Sequence, residues 1–402
     1  MNKPIKLRSP VVSVLLLVVV ASGCSAAEIK PLKELYRHDF LIGNVLAGGI
    51  HGRSPYRKDS RELDVLRREF NCLTAENSTK MEFLQPTEGS FDFKATDAFV
   101  DFAEKNNMTV VGHVLVWHAM APDWLFVDDE GLDVTREVLI ERMRTHIHTV
   151  VSRYKGRIDY WDVVNEAVDT KMVDDPDAPL KEDGTRPKKH IAFMRKSKWL
   201  RIIGEDFIEL AFRFAHEADP DAKLIYNDYS MNDKAKVEFV AGMVSELKAK
   251  KVPIDGVGMQ GHWHLEYPTP EELNDSIRTL AETGVRIHIS ELDLKVLPRT
   301  HGYAGADVET RLEMKKELDP YTDRIPTEVL RQQADKYREI FEVLLANRKD
   351  IERVSFWGVS DKYSWLNDHP VRGRTAYPLL FDRNFNPKPA YTALQELKNE
   401  KQ

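Results

Sequence analysis

The feature of this sequence that most restricts its fold is a regular alternation of eight short apolar runs, rich in β-branched residues, with longer stretches of helical spacing. Strands that alternate with helices form parallel sheets, and eight such units favour a closed barrel over an open sheet. The predicted strands span residues 41–48, 70–75, 108–117, 158–164, 222–226, 256–259, 286–290 and 354–358. The predicted helices span residues 97–105, 138–154, 207–218, 237–248, 270–282, 328–347 and 389–398. We therefore predict an α/β fold, a single (β/α)8 TIM barrel.

The chain carries no Ser-, Gly- or Pro-rich linker and no repeated block from about residue 35 onward, which predicts one domain over residues 28–402. Its 402 residues, 42% of them hydrophobic, are enough to bury a sizeable core. Two segments exceed what a minimal barrel needs: residues 170–199 after the fourth strand and residues 295–326 after the seventh. Such inserts lie at the C-terminal rim, where barrel active sites are built. The sequence leaves open whether they shape a cleft or only cover barrel surface.

The charge balance argues against a polyanionic partner. The formal net charge is -7, from 58 Lys and Arg against 65 Asp and Glu, and no long run of either sign occurs. Nucleic acids and anionic membrane surfaces are bound by basic patches. We therefore expect neither as a partner, and we expect the protein to act as a monomer.

The N-terminus has the pattern of an export signal. Basic residues at positions 3, 6 and 8 precede an apolar run over residues 11–21, which is much shorter than a membrane span, and small residues follow. We predict a signal peptide over residues 1–24. Ala21-Ser22-Gly23-Cys24 resembles a bacterial lipoprotein cleavage box, although the first of these residues is commonly a larger aliphatic one. Cys24 is thus either discarded or lipidated, and we expect an exported protein, either a lipoprotein of the bacterial cell envelope (outer membrane or periplasm) or secreted.

Two of the predicted strands end in a glutamate. The fourth runs from Trp161 to Asn165 and Glu166, and the seventh continues into Glu291. A carboxylate beside an apolar strand interior is costly to desolvate, so two at the same rim indicate catalysis, whereas either alone is more simply a structural ion pair. Glycoside hydrolysis requires such a pair, one carboxyl group as proton donor and the other as nucleophile or stabiliser.

The remaining strand ends are rich in polar and aromatic residues. This mixture favours a carbohydrate cleft, because sugars present hydroxyl groups to polar side chains and C–H faces to aromatic rings. The residues are Glu76, Asn77, Lys80, His113, Trp117, Tyr229, Gln260, His262, Trp357 and Trp365. The alternative is a zinc site built from His113, His118, His262, His264 and Asp228. No helical or Cys/His ligand motif accompanies these residues, so we predict neither a metal nor a cofactor.

These residues together resemble glycoside hydrolase family 10 endo-β-1,4-xylanases over about residues 31–397. The matching motifs are Glu76-Asn77 with Lys80, Gly112-His113 through Trp117-His118, Trp161 through Glu166, Asn227-Asp228-Tyr229, Gly258 through His262, Ser290 through Asp293, Trp357 through Asp361, and Pro387 through Tyr391. The resemblance implies a (β/α)8 barrel that hydrolyses internal bonds of xylan or xylo-oligosaccharides by double displacement, with retention of configuration.

The resemblance also implies residue roles. Glu166 would be the acid/base and Glu291 the nucleophile; Asn165 would bind the 2-hydroxyl of the attacked sugar, and His262 would keep Glu291 ionised. Glu76, Asn77 and Lys80 would contact the next sugar on the non-reducing side. The subsite of the attacked sugar would be shaped by His113, Trp117 and Gln260, with Trp357 and Trp365 as its aromatic floor and wall. Tyr229 would form the floor of a leaving-group subsite.

The sequence departs from the family beside the cleavage point. Family members commonly continue with Ser-Gln after the Trp-His pair, and this chain has Ala119-Met120. Loss of that amide puts strict xylose preference in doubt and leaves open activity on mixed β-glucans or aryl cellobiosides. A non-catalytic glycan-binding lipoprotein is the third alternative. It has no need of both glutamates, and both are present.

Overall fold

The computed structural model describes residue 1 and residues 30–46, 59–181, 183–299 and 312–401. The predicted signal peptide and Cys24 therefore lie outside the described residues. The strands found within these ranges are β1 (Leu41–Leu46), β2 (Cys72–Ala75), β3 (Thr109–Trp117), β4 (Tyr160–Asn165), β5 (Val168–Asp174), β6 (Lys188–Met194), β7 (Lys223–Asp228), β8 (Gly256–Met259), β9 (His262–His264), β10 (Arg286–Lys295) and β11 (Ile351–Phe356).

Eight of these strands close into a parallel barrel. The order is β1, β2, β3, β4, β7, β8, β10 and β11, and β11 pairs in parallel with β1 to complete the ring. The strands carry nearly continuous apolar sequence because both of their faces are buried, one in the barrel and one beneath the helices. The predicted (β/α)8 fold is confirmed.

Helices cover the outside of the barrel. They are α1 (Leu32–Leu35), α2 (Ser60–Glu69), α3 (Met81–Leu84), α4 (Lys94–Lys105), α5 (Arg136–Arg153), α6 (Lys198–Ile202), α7 (Phe207–Ala218), α8 (Lys234–Ala249), α9 (Pro270–Ala281), α10 (Thr327–Ala346) and α11 (Pro389–Glu400). Local sequence determines their ends: Thr269 and Glu272 form a capping box at the start of α9, and Thr135 caps α5. Among the described residues, no helix is long and apolar enough to cross a membrane.

The structure corrects the predicted strand ends on the carboxyl side of the barrel. The seventh barrel strand, β10, continues to Lys295 instead of ending at residue 290, because its outer half pairs with the short strand β9. The insert after β4 contains the antiparallel hairpin β5–β6 and helix α6. Of the insert after β10, residues 300–311 lie outside the described residues, and Lys316–Leu318 form a single 3-10 turn.

A layer of buried polar side chains crosses the barrel interior. The guanidinium of Arg353, which has no exposed surface, donates to His288 Nδ1 over 3.0 Å and to Thr74 Oγ1 over 3.2 Å, and it lies 3.6 Å from Asp162 Oδ1. Burial and the Arg353 charge lower the pKa of His288, so its neutral ring accepts this hydrogen bond. Asp162 in turn accepts from His113 Nδ1 over 2.9 Å. The layer thereby connects four strands to a side chain at the rim.

Cys72 is the free cysteine of the described residues, and it is buried. Burial raises the pKa of its thiol to about 12. A thiol that stays protonated is a poor nucleophile. This environment gives Cys72 a structural role.

Gly112 on β3 tests the packing of the barrel wall. A Cβ atom at this position would lie 2.2 Å from two ring carbons of the fully buried Trp161. We expect Gly112→Ala to lower the free energy of unfolding by about 1–3 kcal/mol, because neither ring nor backbone has room to move in a close-packed core. Chemical denaturation monitored by circular dichroism measures this change.

Gly242→Ala is the matched control. Gly242 is an exposed position within α8, and a Cβ there meets no atom within 4 Å. This substitution should raise the free energy of unfolding by about 0.5–1 kcal/mol, because alanine favours helix. Equal effects of the two substitutions would contradict the packing argument.

Candidate active site

Glu166 and Glu291 both lie at the carboxyl end of the barrel, and both are only 5% exposed. Glu166 directly follows β4 and has a φ of 58°, a left-handed conformation that is strained for a residue with a side chain. Two hydrogen bonds support the turn: Ala167 N donates to Tyr226 OH over 3.2 Å, and Val168 N donates to Asp228 Oδ2 over 3.3 Å. The fold therefore maintains this conformation at the position of the predicted acid.

Hydrogen-bond donors surround the carboxylate of Glu291. Asn227 Nδ2 donates to Oε1 over 2.8 Å, and His262 Nε2 donates to Oε2 over 3.1 Å. Burial alone raises the pKa of Glu291, but these donors and the imidazoles of His262 and His113 outweigh it, so the pKa is lowered overall. Glu291 is therefore ionised at neutral pH.

His262 bridges two carboxylates. Its Nδ1 donates to Asp293 Oδ2 over 2.9 Å, while Nε2 faces Glu291. Burial lowers the pKa of His262, but Asp293 and Glu291 more than compensate and raise it to about 9. The imidazolium therefore donates from both nitrogens, as the resemblance implied for its contact with Glu291.

Glu166 has the opposite electrostatic environment. Burial and the charges of Asp228 and Glu291 raise its pKa to about 7, against the hydrogen bonds that it accepts. Its oxygens accept from Trp117 Nε1 over 2.9 Å and from Gln260 Nε2 over 2.8 Å. Near neutral pH, a large fraction of Glu166 is therefore protonated while Glu291 is anionic. Two carboxyl groups whose pKa values are separated in this way divide the roles of acid and nucleophile.

Asn227 links the two glutamate-bearing strands. Its amide donates to Asn165 Oδ1 over 2.9 Å as well as to Glu291, and its own oxygen accepts from Ser290 Oγ over 2.6 Å. The sequence placed Asn227 in a motif without assigning it a role. The available signal was its register: β7 pairs with β4, so that Asn227 lies beside Asn165.

Asp293 was also assigned no role from the sequence. Besides His262, it accepts from Trp365 Nε1 over 2.8 Å, and it is fully buried. Asp293 lies two residues after Glu291 on β10, so strand alternation directs both side chains to the same face. That spacing is the signal by which the sequence could have identified it.

Arg195 connects Tyr229 to Glu166, and Lys236 connects Tyr229 to Asp228; the sequence predicted neither residue. Arg195 Nε donates to the backbone oxygen of Glu166 over 2.7 Å, and its Nη2 donates to Tyr229 OH over 2.6 Å. Lys236 Nζ donates to Asp228 over 2.7 Å and lies 3.8 Å from the centre of the Tyr229 ring. Arg195 belongs to the insert, where no barrel periodicity marks it as a site residue.

The other predicted site residues also converge here. Lys80 Nζ donates to Asn77 Oδ1 over 2.9 Å and lies 5.0 Å from the Trp117 ring centre. Burial lowers the pKa of Lys80, while Glu76, Glu291 and Glu166 act against this change. Two histidines of the site lie beside the tryptophans. The ring centres of His113 and Trp357 are 5.5 Å apart, and the ring centre of His262 lies 6.4 Å from that of Trp357 and 5.1 Å from that of Trp365.

Four residues of the zinc alternative, His113, His262, His264 and Asp228, are bound to protein groups. His113 contacts Asp162, His262 contacts Asp293 and Glu291, and His264 Nε2 lies 3.1 Å from the backbone oxygen of Leu297. Asp228 forms an ion pair with Lys236. Within the described part of the chain, no group of three His, Cys, Asp or Glu side chains has a geometry that fits a metal ion. The structure gives this alternative no support.

A closed (β/α)8 barrel with two carboxyl groups of opposed acidity in an aromatic-lined cleft defines a glycoside hydrolase. The chain belongs to glycosyl hydrolase family 10, whose family model matches residues 31–397.

Relatives cover nearly the same span. The chain is 41% identical over 366 residues to endo-1,4-beta-xylanase A of Xylanibacter ruminicola. The aligned region covers 91% of this chain and 93% of that protein. It is 37% identical over 382 residues to a thermostable celloxylanase of Thermoclostridium stercorarium, with coverage of 92% and 88%. It is also similar to the solved structure of an endoxylanase retrieved from a sugarcane soil metagenome, with 43% identity, a TM-score of 0.81 and coverage of 91% and 99%.

The hydrogen bond from Trp117 should lower the pKa of Glu166, since it stabilises the ionised form. We expect Trp117→Phe to raise that pKa above about 7, by roughly one unit, because a hydrogen bond to a charged group is worth about 1.5 kcal/mol or more. Carbon-13 NMR titration of labelled glutamate carboxyl groups, with Glu166→Gln to assign the signal, measures the change.

Trp124→Phe is the control, since Trp124 Nε1 donates to the backbone oxygen of Gln85 instead. This substitution should leave the Glu166 titration midpoint unchanged. An unchanged or lower midpoint in Trp117→Phe would show that the indole does not stabilise the carboxylate.

Proposed function

We propose that the protein is a retaining endo-1,4-β-xylanase that hydrolyses internal β-1,4 bonds of xylan and xylo-oligosaccharides. The observation that carries this proposal is the opposed acidity of Glu166 and Glu291 in one buried site. The names of the relatives support the substrate: both the Xylanibacter ruminicola protein and the metagenomic protein are described as endoxylanases.

The first step forms a covalent glycosyl-enzyme. A carboxylate oxygen of Glu291 attacks the anomeric carbon, and the bond from that carbon to the leaving-group oxygen breaks as Glu166 donates its proton to this oxygen. His262 and Asn227 maintain Glu291 as the anion that the attack requires. The leaving chain departs with a new hydroxyl group, and Glu166 is left as a carboxylate.

The second step reverses the roles. Once Glu291 is esterified it carries no charge, and the repulsion that raises the pKa of Glu166 weakens. Glu166, which gave up its proton in the first step, acts as a base that deprotonates an incoming water. The water oxygen attacks the anomeric carbon, the ester bond breaks and the Glu291 carboxylate is regenerated. Two inversions at the same carbon retain its configuration.

The resemblance to family 10 supplies the sugar contacts of this proposal. In this proposal Asn165 binds the 2-hydroxyl of the attacked sugar, beside the Asn227 amide. Trp357 and Trp365 form the floor and wall of that subsite, which His113, Trp117 and Gln260 shape. The next sugar on the non-reducing side contacts Glu76, Asn77 and Lys80, and the first leaving-group sugar lies on Tyr229.

A broader substrate range is the second candidate. Ala119 and Met120 line a small hollow together with Lys80 and Trp117, so two apolar side chains adjoin the polar contacts to the sugar. An apolar lining discriminates weakly between sugars that differ by one hydroxymethyl group. The relative from Thermoclostridium stercorarium bears the name celloxylanase. These observations favour some activity on β-glucans or aryl cellobiosides.

The decisive experiment is hydrolysis of xylan beside carboxymethyl cellulose, with the product anomers followed by proton NMR from time zero. We expect xylan cleavage with the β-anomer first, and a loss of several orders of magnitude in Glu291→Ala, because the nucleophile is absent. Glu396→Ala removes an exposed glutamate on α11 and is the matched control, with full activity.

An initial α-anomer, or an active Glu291→Ala, would show that Glu291 is not the nucleophile. Cleavage of carboxymethyl cellulose at a rate comparable to xylan would establish the broader range. If neither polymer is cut, a glycan-binding protein replaces the enzyme as the best account.

We also propose that the protein is exported by the signal predicted within residues 1–24, and that cleavage before Cys24 leaves this cysteine as the lipidated first residue. This would make it a lipoprotein of the bacterial cell envelope, in the outer membrane or periplasm; cleavage without lipidation would make it a secreted protein. The basic residues, the apolar run and the cleavage box that ends at Cys24 support this proposal.

We propose a monomer as the active form, because one chain supplies every residue of the site.

Cys24→Ser tests the anchor. In a bacterial host, we expect the natural chain to incorporate radiolabelled palmitate and to partition into the detergent phase, and the variant to do neither, because serine offers no thiol to acylate. Cys72→Ser is the control for the other cysteine and should label fully. Labelling of Cys24→Ser, or an unlabelled natural chain that is found in the medium, would contradict lipidation.

A further inference from the structure

The β5–β6 hairpin begins two residues after Glu166 and has no assigned role. Its ladder runs in register from the pair Val168 and Met194 to the pair Asp174 and Lys188. The pairing extends one step closer to the catalytic residues, because Arg195 N donates to Ala167 O over 2.7 Å. The hairpin is therefore a continuation of the turn that carries Glu166.

One face of the hairpin packs on the barrel. Ala192 and Met194 contact the hydrophobic core, and strand alternation places His190 on the same face. His190 pairs with Asp233, the residue that caps the start of α8. These contacts hold the hairpin against α8 and determine which face is left for other contacts.

The opposite face of the hairpin adjoins Glu166 and Tyr229, because Arg195 on this face contacts both residues. Arg195 and Phe193 alternate onto this face, and Asp169 lies directly opposite Phe193. Asp169 is 3.2 Å from Arg195 Nη1, the guanidinium that also contacts Tyr229 OH and Glu166 O. The half-buried Phe193 ring has Lys171 Nζ at 5.6 Å from its centre. An aromatic ring flanked by a carboxylate and an ammonium group thus lies two residues along the strand from Arg195, which itself contacts Tyr229.

We propose that Phe193, with Asp169 and Lys171, forms a further leaving-group subsite for a xylose unit beyond the one on Tyr229. The inference rests on the proposed xylanase function, since the hairpin starts beside Glu166, the residue that protonates the leaving oxygen. Two residues along a strand span roughly 7 Å, a distance on the scale of one sugar unit. The ring offers a face to the sugar C–H groups, and the two charged groups offer hydrogen bonds to its hydroxyls.

Kinetics on two substrates test the subsite. An aryl β-xylobioside places only its aryl group on the leaving side, whereas longer xylo-oligosaccharides extend along the hairpin. We expect Phe193→Ala to lower the ratio of kcat/KM for xylohexaose to kcat/KM for the aryl xylobioside about five- to tenfold, because one aromatic contact is lost. Phe193→Tyr keeps the ring and should restore the ratio.

Met172→Ala is the matched control, because Met172 is exposed on the same hairpin but alternates onto the other face. It should leave the ratio at the wild-type value. Circular dichroism melts of each variant report on folding.

A wild-type ratio in Phe193→Ala, or an equal fall in Met172→Ala, would overturn the subsite while the xylanase function stands. If the natural chain cuts neither substrate, the proposed function and the subsite fall together.

Discussion

The contact on which the rest of the site depends is the imidazolium of His262 between the carboxylates of Glu291 and Asp293. It helps to keep Glu291 ionised in a buried position where an unpaired charge would be costly. The ionised Glu291 in turn contributes to the raised pKa of Glu166. One buried cation thereby helps to set the acidity of both glutamates. Asp293 extends the same network to Trp365, because its carboxylate accepts hydrogen bonds from both His262 and the Trp365 indole.

Rigid strands supply the positions that this electrostatic arrangement requires. Asn165, Asn227 and Glu291 come from three strands, yet single hydrogen bonds connect them because the parallel strands of the barrel end at the same rim. Beneath them, Arg353 joins Asp162 and, through it, His113 to the barrel interior. A buried guanidinium is stable only when its partners are in place, so the polar layer adds a constraint on the strands that it joins. The strained turn at Glu166 is maintained by this framework and by Arg195.

Sequence reasoning recovered the barrel, and it placed the predicted site residues at one rim, because both depend on local patterns. Eight apolar runs at regular spacing require eight buried strands, and the strand ends carried the motifs that resemble the family. It missed the hairpin β5–β6 and strand β9, where short and largely polar segments pair only because neighbouring elements hold them. It also missed Arg195 and Lys236, whose roles arise from contacts with Tyr229 and Asp228. Such contacts follow no periodicity along the chain.

The sequence by itself determined the number of barrel strands, the fold class, the pair of glutamates and the aromatic character of the strand ends, because these follow from residue type and spacing. Tertiary structure decided which glutamate holds its proton. Both are glutamates at strand ends, and their acidities differ only through burial and through partners contributed by other strands. Gln260 and Trp117 donate to one, His262 and Asn227 to the other. The pKa of a buried group depends on neighbours in space, and only the closed barrel brings those neighbours together.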